Sequence, residues 1–231
     1  MKYKSLFIDL DDTLWDTAHN NKESLEEVFD AHNWERHYAS FEAFHKIYWP
    51  HNMDLWDQYS KGLIDRQTLI VERLGYVLRP MGITEKKDIL AINTEFLQRT
   101  TTKTRIVEGA IELLEHLRYH YRMFILSNGF REVQSLKLQN AGLAPYFEKL
   151  ILSEDAKAQK PSKAIFDYTL INTNSRRKES LMIGDAISTD IEGAYLSDID
   201  QLWFNPKDLP APNNFTPTYT VHSLKEICDI L

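Results

Sequence analysis

The chain has 231 residues, enough for one large domain or for one domain with a sizeable insert. Its 43% hydrophobic and 26% charged residues exclude disorder as the main state. The formal net charge of -7 argues against a nucleic-acid polymer or an anionic membrane as a partner, because each requires a dense basic surface. A small phosphorylated ligand is compatible with this charge, since it needs only one or two local cations.

The start of the chain and its cysteine content favour a cytoplasmic location. Residues 1–6 contain two lysines but no apolar segment typical of a signal peptide. No apolar run is long enough to span a bilayer. The single cysteine, Cys228, can form neither an internal disulfide nor a thiolate metal site. We therefore expect a soluble, cytoplasmic protein.

Short apolar runs, each about as long as a buried strand, recur along the chain. They occupy residues 6–8, 123–126, 150–152, 181–183 and 201–204. Helical spacing of apolar residues separates them, as at Ala110, Leu113 and Leu117, and a last helical pattern at 224–231 follows Ser223, a candidate N-cap. Strands that are apolar throughout and alternate with helices predict an α/β fold with a doubly wound, Rossmann-like parallel sheet.

The alternation stops between residues 15 and 103, where the sequence shows helical patterns and no convincing strand. One apolar stripe of this region contains Leu25 and Phe29 at helical spacing. A block of roughly 90 residues is far too long for a βα connection. We therefore predict a helical insert at 15–103, placed after the first strand of an α/β core domain that consists of 1–14 and 104–231.

Polar residues that could take part in catalysis or ligand binding follow several of the apolar runs. They are Asp9, Asp11, Asp12 and Thr13 after the first run, Ser127, Asn128 and Gly129 after the second, Gly184, Asp185, Thr189 and Asp190 after the fourth, and Lys160 before Pro161. Ligands of open α/β sheets bind beyond the carboxyl ends of the strands. We therefore expect these four groups to converge at one edge of the sheet.

This set of residues suits phosphoryl transfer through a covalent intermediate. A carboxylate can attack phosphorus, but its charge repels a phosphate dianion, so the site needs a divalent cation and a cationic side chain. Aspartates at two chain positions suit Mg²⁺, and Lys160 offers the cation. Ser127 and nearby backbone N–H groups can donate to the phosphoryl oxygens. A second carboxylate, two residues beyond the first, can act as general acid and then as general base.

The segments 9–13, 127–129, 160–161 and 184–190 resemble the four motifs of the haloacid-dehalogenase-like hydrolase superfamily. They occur in the order of that family and at compatible spacing, and the resemblance covers essentially the whole chain. One motif alone is weak, because two aspartates separated by one residue are common by chance, whereas four in register are specific. The insert at 15–103 resembles the α-helical cap domain that this family places between its first two motifs.

The resemblance implies catalytic roles for three residues. Asp9 is the nucleophile and a Mg²⁺ ligand, and Asp11 is the general acid/base, with its backbone carbonyl on the metal. Lys160 neutralises the nucleophile and the phosphate. The name-giving dehalogenases typically lack an acidic residue at the position of Asp11, so its presence favours a phosphatase.

The resemblance also implies how phosphate and metal are bound. Ser127, the backbone of Asn128 and Lys160 contact the phosphate, and Thr13 supports the loop after the first strand at that phosphate site. Asp185 binds Mg²⁺. Asp190 supports the metal site, either by contacting the metal ligands or by acting through Lys160.

Three further stretches, 127–134, 159–168 and 203–206, resemble the bacterial nucleoside 5'-monophosphatases of this superfamily, a branch associated with pyrimidine and non-canonical nucleotides. We therefore predict a Mg²⁺-dependent phosphomonoesterase whose substrate is a nucleoside 5'-monophosphate. One alternative is a sugar-phosphate or phosphoglycolate phosphatase, or a phosphomutase. The others are a haloacid dehalogenase and a non-catalytic phosphate- or nucleotide-binding protein, and the intact Asp11 and Lys160 speak against the last.

The insert is rich in aromatic residues, which allow two interpretations. Trp34, Trp49, Trp56 and Tyr59 could stack on a nucleobase, or they could fill the core of a helical bundle, and the second is the more common role of such residues. His116 and His120 lack a third ligand for zinc, and Cys228 lies on the apolar stripe of the last helix. We expect the insert to close over the substrate, with hinges at residues 14–18 and 99–106.

Overall fold

The computed structural model describes residues 2–231, and its centre is one parallel sheet. The strands described are β1 (Ser5–Ile8), β2 (Arg122–Ser127), β3 (Lys149–Leu152), β4 (Ser180–Gly184), β5 (Asp200–Phe204) and β6 (Tyr219–Val221). Their order is β3-β2-β1-β4-β5-β6, and every neighbouring pair is parallel. Strands β2 and β3 thus lie on one side of β1, and β4, β5 and β6 lie on the other side.

Helices cover the sheet and form the insert. The α-helices of the described chain are α1 (Thr17–Ala31), α2 (Phe41–Ser60), α3 (Arg66–Leu78), α4 (Lys86–Thr102), α5 (Ala110–Leu117), α6 (Arg131–Asn140), α7 (Ser153–Ala156), α8 (Lys163–Asn172), α9 (Glu192–Leu196) and α10 (Ile227–Ile230). Short 3₁₀ turns lie at Trp34–Arg36, Arg79–Met81, Ala144–Tyr146, Arg177–Glu179 and Leu224–Glu226, and a π-turn lies at Ile187–Ile191. The predicted fold class, a doubly wound α/β core with a helical insert after the first strand, is confirmed.

Strand β1 shows why the core strands are mostly apolar. Successive side chains of a strand point to opposite faces. Leu6 and Ile8 accordingly belong to the apolar cluster that includes α5, whereas Phe7 belongs to the cluster on the other face, with Phe166 of α8. Both faces are covered by helices, so a polar side chain in β1 needs a buried partner. Ser5, at the start of the strand, has one, because its Oγ accepts a hydrogen bond from Ser175 Oγ at 2.8 Å.

The contacts of the chain divide it into two compact units. We call the unit made of the residues up to Thr17 together with Thr104–Leu231 the core unit, and Ala18–Lys103 the helical unit. The domain boundaries predicted after residues 14 and 103 stay a prediction. Within residues 2–231, no helix combines the length and the apolar character that a bilayer crossing requires.

The helical unit has its own aromatic core. Trp34 is 3% exposed, and its ring lies 6.1 Å from that of Phe29 and 5.4 Å from that of Phe44. Two helices begin at side-chain caps: Ser40 accepts a hydrogen bond from the backbone N–H of Ala43 before α2, and Asp65 does so from Thr68 before α3. The packing of Trp34 favours the bundle-core interpretation for this residue over a stacking platform.

The C-terminal part of the core unit differs from the sequence expectation in two respects. Strand β6 was not predicted, because it has three residues at the sheet edge and only Val221 is buried. The last helical pattern is split into a 3₁₀ turn and the short α10. Ser223 occupies the position before this turn, but its hydroxyl donates to Glu226 Oε1 at 2.8 Å instead of accepting a backbone hydrogen bond.

Candidate active site

The candidate site lies where the strand order reverses. Strands β1 and β4 are neighbours, and the chain leaves them toward helices at the same sheet edge. Asp9 follows β1, and its N–H donates to the carbonyl of Ile183 at 2.9 Å, while Asp185 follows β4. Such a switch point opens a crevice at the carboxyl ends of the strands. Two aspartates that are far apart in the sequence are thus brought side by side.

Three aspartates form a cluster in this crevice. Carboxylate oxygens of Asp9, Asp185 and Asp190 all lie within 4.8 Å of one another. Burial raises the pKa of Asp9 well above its ordinary value, against the opposing charge of Lys160. Burial, together with the charges of Asp190 and Asp12, raises the pKa of Asp185 to about 8. The surrounding protein therefore does not fully stabilise the ionised forms of Asp9 and Asp185.

The donor set fits a hard divalent cation. Mg²⁺ prefers oxygen ligands, especially carboxylates, and retains several waters. The three carboxylates supply such oxygens from three positions at the ends of β1 and β4. The raised pKa values of Asp9 and Asp185 indicate that a positive charge among these groups would stabilise their ionised forms.

Lys160 is the protein's own cation in the cluster. Its ammonium donates to Oδ1 of Asp9 at 2.6 Å and to the carbonyl of Leu126 at 2.7 Å, and it lies 2.6 Å from Oδ1 of Asp190. These three oxygens match the three hydrogens of an ammonium group. Burial disfavours the charge of Lys160, but the two aspartates outweigh it and raise the pKa of this lysine. Lys160 is therefore a fixed point charge between Asp9 and Asp190.

The side chain of Asn128 holds Lys160 in place through the backbone. Its Nδ2 donates to the carbonyl of Lys160 at 3.0 Å, and its Oδ1 accepts from the N–H of Lys160 at 2.8 Å. The peptide bond between Lys160 and Pro161 is cis. This paired contact links the second and third motif segments. Phosphate binding by the backbone of Asn128 stays a prediction.

Thr13 is buried, and its hydroxyl orients Asp185. The hydroxyl donates to Oδ1 of Asp185 at 3.0 Å and accepts from the N–H of the same residue at 3.1 Å. Trp203 of β5 donates from Nε1 to the carbonyl of Asp185 at 2.9 Å. Thr13 thus ties the loop after β1 to the loop after β4. Its expected part in phosphate binding stays a prediction.

Asp190 returns to the cluster because of a π-turn and a glycine. The turn places the N–H of Asp190 2.9 Å from the carbonyl of Ala186, and Oδ2 of Asp190 accepts from the N–H of Ala186 at 3.2 Å. A Cβ atom on Gly184 would lie 2.6 Å from Cβ and Cγ of Asp190. Gly184 is therefore required sterically where β4 ends. Inserted π-turns of this kind are frequent at functional sites.

The carboxylate of Asp11 is held by a separate set of donors. It accepts hydrogen bonds from Lys137 Nζ at 2.6 Å, from Gln134 Nε2 at 2.6 Å and from Thr17 Oγ1 at 2.8 Å. Burial opposes ionisation of this carboxyl, but the charge of Lys137 and the three hydrogen bonds together lower its pKa. The side chain of Asp11 is not in the three-aspartate cluster of the described residues.

Two residues belong to the site although no sequence pattern singled them out. Gln134 and Lys137 lie one turn apart on α6, and both are buried. The ammonium of Lys137 also lies 4.1 Å from the centre of the Trp15 ring, which is a cation–π contact. The sequence gives no signal for them, because lysine and glutamine on a helix are usually solvated.

Ser127, at the end of β2, is linked to Asp11 through Gln134. Its Oγ accepts from the N–H of Gly129 at 3.0 Å and from Gln134 Nε2 at 2.7 Å. Contacts thus join all eight predicted site residues into two groups that meet at this sheet edge. The first contains Asp9, Lys160, Asp190, Asp185, Thr13 and Asn128, and the second contains Ser127 and Asp11 with Gln134 and Lys137.

Comparison with known proteins agrees with this fold. Residues 3–195 match the family model of the haloacid dehalogenase-like hydrolases, and the chain belongs to this family. The membership and the hydrolase class predicted from the sequence are therefore confirmed.

Relatives of known name span the full chain. The pyrimidine 5'-nucleotidase PynA of Streptococcus pneumoniae is 30% identical over 233 residues, which cover 100% of this chain and 96% of that protein. The pyrimidine 5'-nucleotidase YjjG of Escherichia coli is 29% identical over 232 residues, which cover 100% of this chain and 99% of that protein. The crystal structure of the HAD-hydrolase YfnB from Bacillus subtilis, bound to magnesium, is similar with a TM-score of 0.89 at 27% identity, and covers 100% of this chain and 99% of that one.

Proposed function

We propose that the protein is a Mg²⁺-dependent phosphomonoesterase that hydrolyses nucleoside 5'-monophosphates through an aspartyl-phosphate on Asp9. The observation that carries this proposal is the buried carboxylate of Asp9, held 2.6 Å from Lys160 at the switch point of the sheet. A buried carboxylate oriented by a fixed cation is suited to nucleophilic attack on a phosphate. The nucleotide part of the proposal is supported by two relatives named as pyrimidine 5'-nucleotidases.

The metal would be held at the three-aspartate cluster. Asp9 and Asp185 are the proposed side-chain ligands, with the backbone carbonyl of Asp11, and Asp190 supports the site through its contact with Lys160. The ion, when bound, supplies positive charge that offsets the repulsion between Asp9 and the phosphate oxygens. A solved relative, YfnB, is described as bound to magnesium, which supports this assignment.

The first step transfers the phosphoryl group to the protein. An oxygen of Asp9 attacks phosphorus, a new O–P bond forms, and the bond from phosphorus to the nucleoside oxygen breaks. Asp11 donates a proton to that leaving oxygen. Lys160 keeps the attacking carboxylate oriented and offsets charge on the phosphoryl oxygens. Asp11 takes up this proton from solvent when the phosphate dianion approaches, because like charges disfavour ionisation of its carboxyl.

The second step releases phosphate. Asp11, now a carboxylate, takes a proton from a water molecule, and the water oxygen attacks the phosphorus of the aspartyl-phosphate. The O–P bond to Asp9 breaks, and inorganic phosphate leaves. Asp11 then releases its proton to solvent, so both aspartates return to their ionised state. Ser127 and the backbone after it are the proposed donors to the phosphoryl oxygens in both steps.

The test is release of inorganic phosphate from a panel of substrates. The panel contains nucleoside 5'-monophosphates, sugar phosphates and phosphoglycolate, each with Mg²⁺ and with a chelator. We expect turnover of nucleotides with Mg²⁺ only, and none by Asp9→Asn. Activity of Asp9→Asn comparable to the native protein would contradict the covalent mechanism. A tenfold preference for sugar phosphates would replace the nucleotidase assignment and leave the phosphatase chemistry in place.

A further inference from the structure

The side-chain amide of Gln134 lies between Ser127 and Asp11 and contacts both. We propose that Gln134 is a positioning residue that sets the hydroxyl of Ser127 as a hydrogen-bond donor to the phosphate and at the same time holds Asp11. This role rests on the proposed phosphomonoesterase function. Gln134 is 1% exposed, so its amide is oriented by the protein and not by bulk water.

The chemistry of the neighbours determines which way the amide points. An ionised carboxylate only accepts hydrogen bonds, so the atom of Gln134 that lies 2.6 Å from Asp11 Oδ2 must be the nitrogen. The same nitrogen lies 2.7 Å from Ser127 Oγ. An amide nitrogen carries two hydrogens, so it can serve both oxygens with one hydrogen each. Ser127 is therefore the acceptor in its contact with Gln134.

The contacts of Ser127 Oγ leave its hydroxyl hydrogen free to be donated. Oγ has two acceptor sites and one hydrogen. The N–H of Gly129, at 3.0 Å, and the amide of Gln134 occupy both acceptor sites. The contacts described for residues 2–231 give the hydroxyl hydrogen of Ser127 no acceptor. That hydrogen is thus available to an oxyanion, and Gln134 is the group that makes Ser127 a donor.

Gly129 supplies a second, independent observation. A Cβ atom at this position would lie 2.5 Å from Cδ and 2.5 Å from Nε2 of Gln134, which is closer than real side-chain contacts allow. Gly129 is not among the glycines with a positive φ, so glycine is not required there by its conformation. Its requirement is steric, because the amide of Gln134 occupies the space of a side chain beside Ser127.

The test compares two chemically identical substitutions on α6. Gln134→Glu replaces the shared donor by an acceptor beside Asp11, and Gln139→Glu makes the same change at an exposed position of the same helix. We expect Gln134→Glu to raise the inhibition constant of inorganic phosphate and the KM of a nucleoside monophosphate at least tenfold, and to lower kcat about 10- to 100-fold. Gln139→Glu should leave all three within twofold. Equal effects of the two variants would overturn the proposal.

A second measurement separates positioning from structural damage. Gln134→Met keeps the side-chain volume without a donor, and it should weaken phosphate binding less than Gln134→Glu does. In a Ser127→Ala background, Gln134→Met should change phosphate affinity less than twofold, because the hydroxyl it acts through is gone. An undiminished effect in that background would also overturn the proposal. Thermal melts and circular dichroism identify any variant that fails to fold, in which case Gly129→Ala, which displaces the same amide, takes its place.

Different results would contradict the proposed phosphatase function and the proposed role of Gln134. If the native protein releases no phosphate from any ester, the proposed function fails, and calorimetric binding of inorganic phosphate to Gln134→Met and to the native protein still decides the role of Gln134. If the native protein is active but Gln134→Glu behaves like Gln139→Glu, only the role of Gln134 fails.

Discussion

The ammonium of Lys160 lies 2.6 Å from the carboxylate of Asp9, although the two residues are 151 positions apart in the chain. Both are buried, and Oδ1 of Asp190 also lies 2.6 Å from the ammonium of Lys160. Removing both ions of a buried pair can be neutral, whereas removing one leaves the other charge without compensation. The interaction therefore makes the stability of the core unit depend on the same residues that we propose for catalysis.

Lys160→Met should lower both stability and activity. The substitution leaves Asp9 and Asp190 buried without a cation, and we expect a loss of about 3–5 kcal/mol in the free energy of unfolding of the metal-free protein at pH 8. Urea unfolding in a chelator measures this loss, and Mg²⁺ should restore part of it. Lys163→Met is the matched control, because Lys163 forms an exposed pair with Asp167 on α8. That variant should stay within about 0.5 kcal/mol of the native protein. Similar losses in both variants would contradict the buried-pair account.

The stability of the metal-free protein should fall as the pH rises. Burial raises the pKa of Asp185 from an ordinary 3.8 to about 8, so the folded state keeps a proton that the unfolded state has lost between these values. The folded state is thus favoured below pH 3.8, and this stabilisation is lost as the pH rises toward 8. Urea unfolding in a chelator from pH 4 to 9 checks the slope. Mg²⁺ should reverse the loss at pH 8.

The matched variants for this pH profile are Asp185→Asn and Asp198→Asn. Asp185→Asn cannot ionise, so its profile should be flatter and it should be more stable than the native protein at high pH. Asp198 is exposed and has a φ of 53°, a conformation that asparagine also adopts, so Asp198→Asn should keep the native slope. Parallel profiles for Asp185→Asn and the native protein would refute the assignment of the slope to Asp185.

Gly184→Ala should displace Asp190 from the cluster. The added Cβ would lie 2.6 Å from Cβ and Cγ of Asp190, and overpacking of this kind costs about 1–3 kcal/mol. We expect that loss in chemical denaturation, together with weaker Mg²⁺ binding by calorimetry. Gly75→Ala is the control, because its nearest atoms belong to the flexible end of Arg79 and alanine favours a helix. A fully native metal affinity in Gly184→Ala would argue against the steric role of Gly184.

Trp34→Ala distinguishes a core residue from a base-stacking platform. Trp34 is buried among Phe29 and Phe44, so its truncation should cost about 3–5 kcal/mol of stability. Tyr76→Ala, at an aromatic side chain that is 51% exposed, should cost about 0.5 kcal/mol or less. Denaturant unfolding measures both. A stable Trp34→Ala variant with raised KM for nucleotides, but not for a phosphate ester without a base, would instead support the platform.

The sequence was sufficient for most of the fold because the core strands are buried on both faces. Strand β1 is apolar at Leu6, Phe7 and Ile8, and its burial by helices on both sides leaves a clear signal in the chain. Strand β6 carries no such signal, since it is short, lies at the sheet edge and buries only Val221. Its formation depends on pairing with β5, which is a tertiary interaction.

Most residues of the candidate site could be proposed from the sequence, but the contacts between them could not. The motif positions identified Asp9, Asp11 and Lys160 from residue types and spacing. The partners of Asp11 come from α6, and a lysine or glutamine on a helix is usually solvated. Only the packing of that helix against β2 and Trp15 buries Gln134 and Lys137 and turns them toward the carboxylate.

The amino-acid sequence by itself determined the alternation of strands and helices, the helical insert and the residue types of a phosphoryl-transfer site, because periodicity and motif spacing are local properties. The tertiary structure decided which donor serves which acceptor. Asp9 and Asp185 become neighbours only because β1 and β4 pair at the switch point, and Ser127 becomes a donor only because Gln134 fills its second acceptor site. Such choices depend on distances between atoms that are remote in the chain, and folding alone sets those distances.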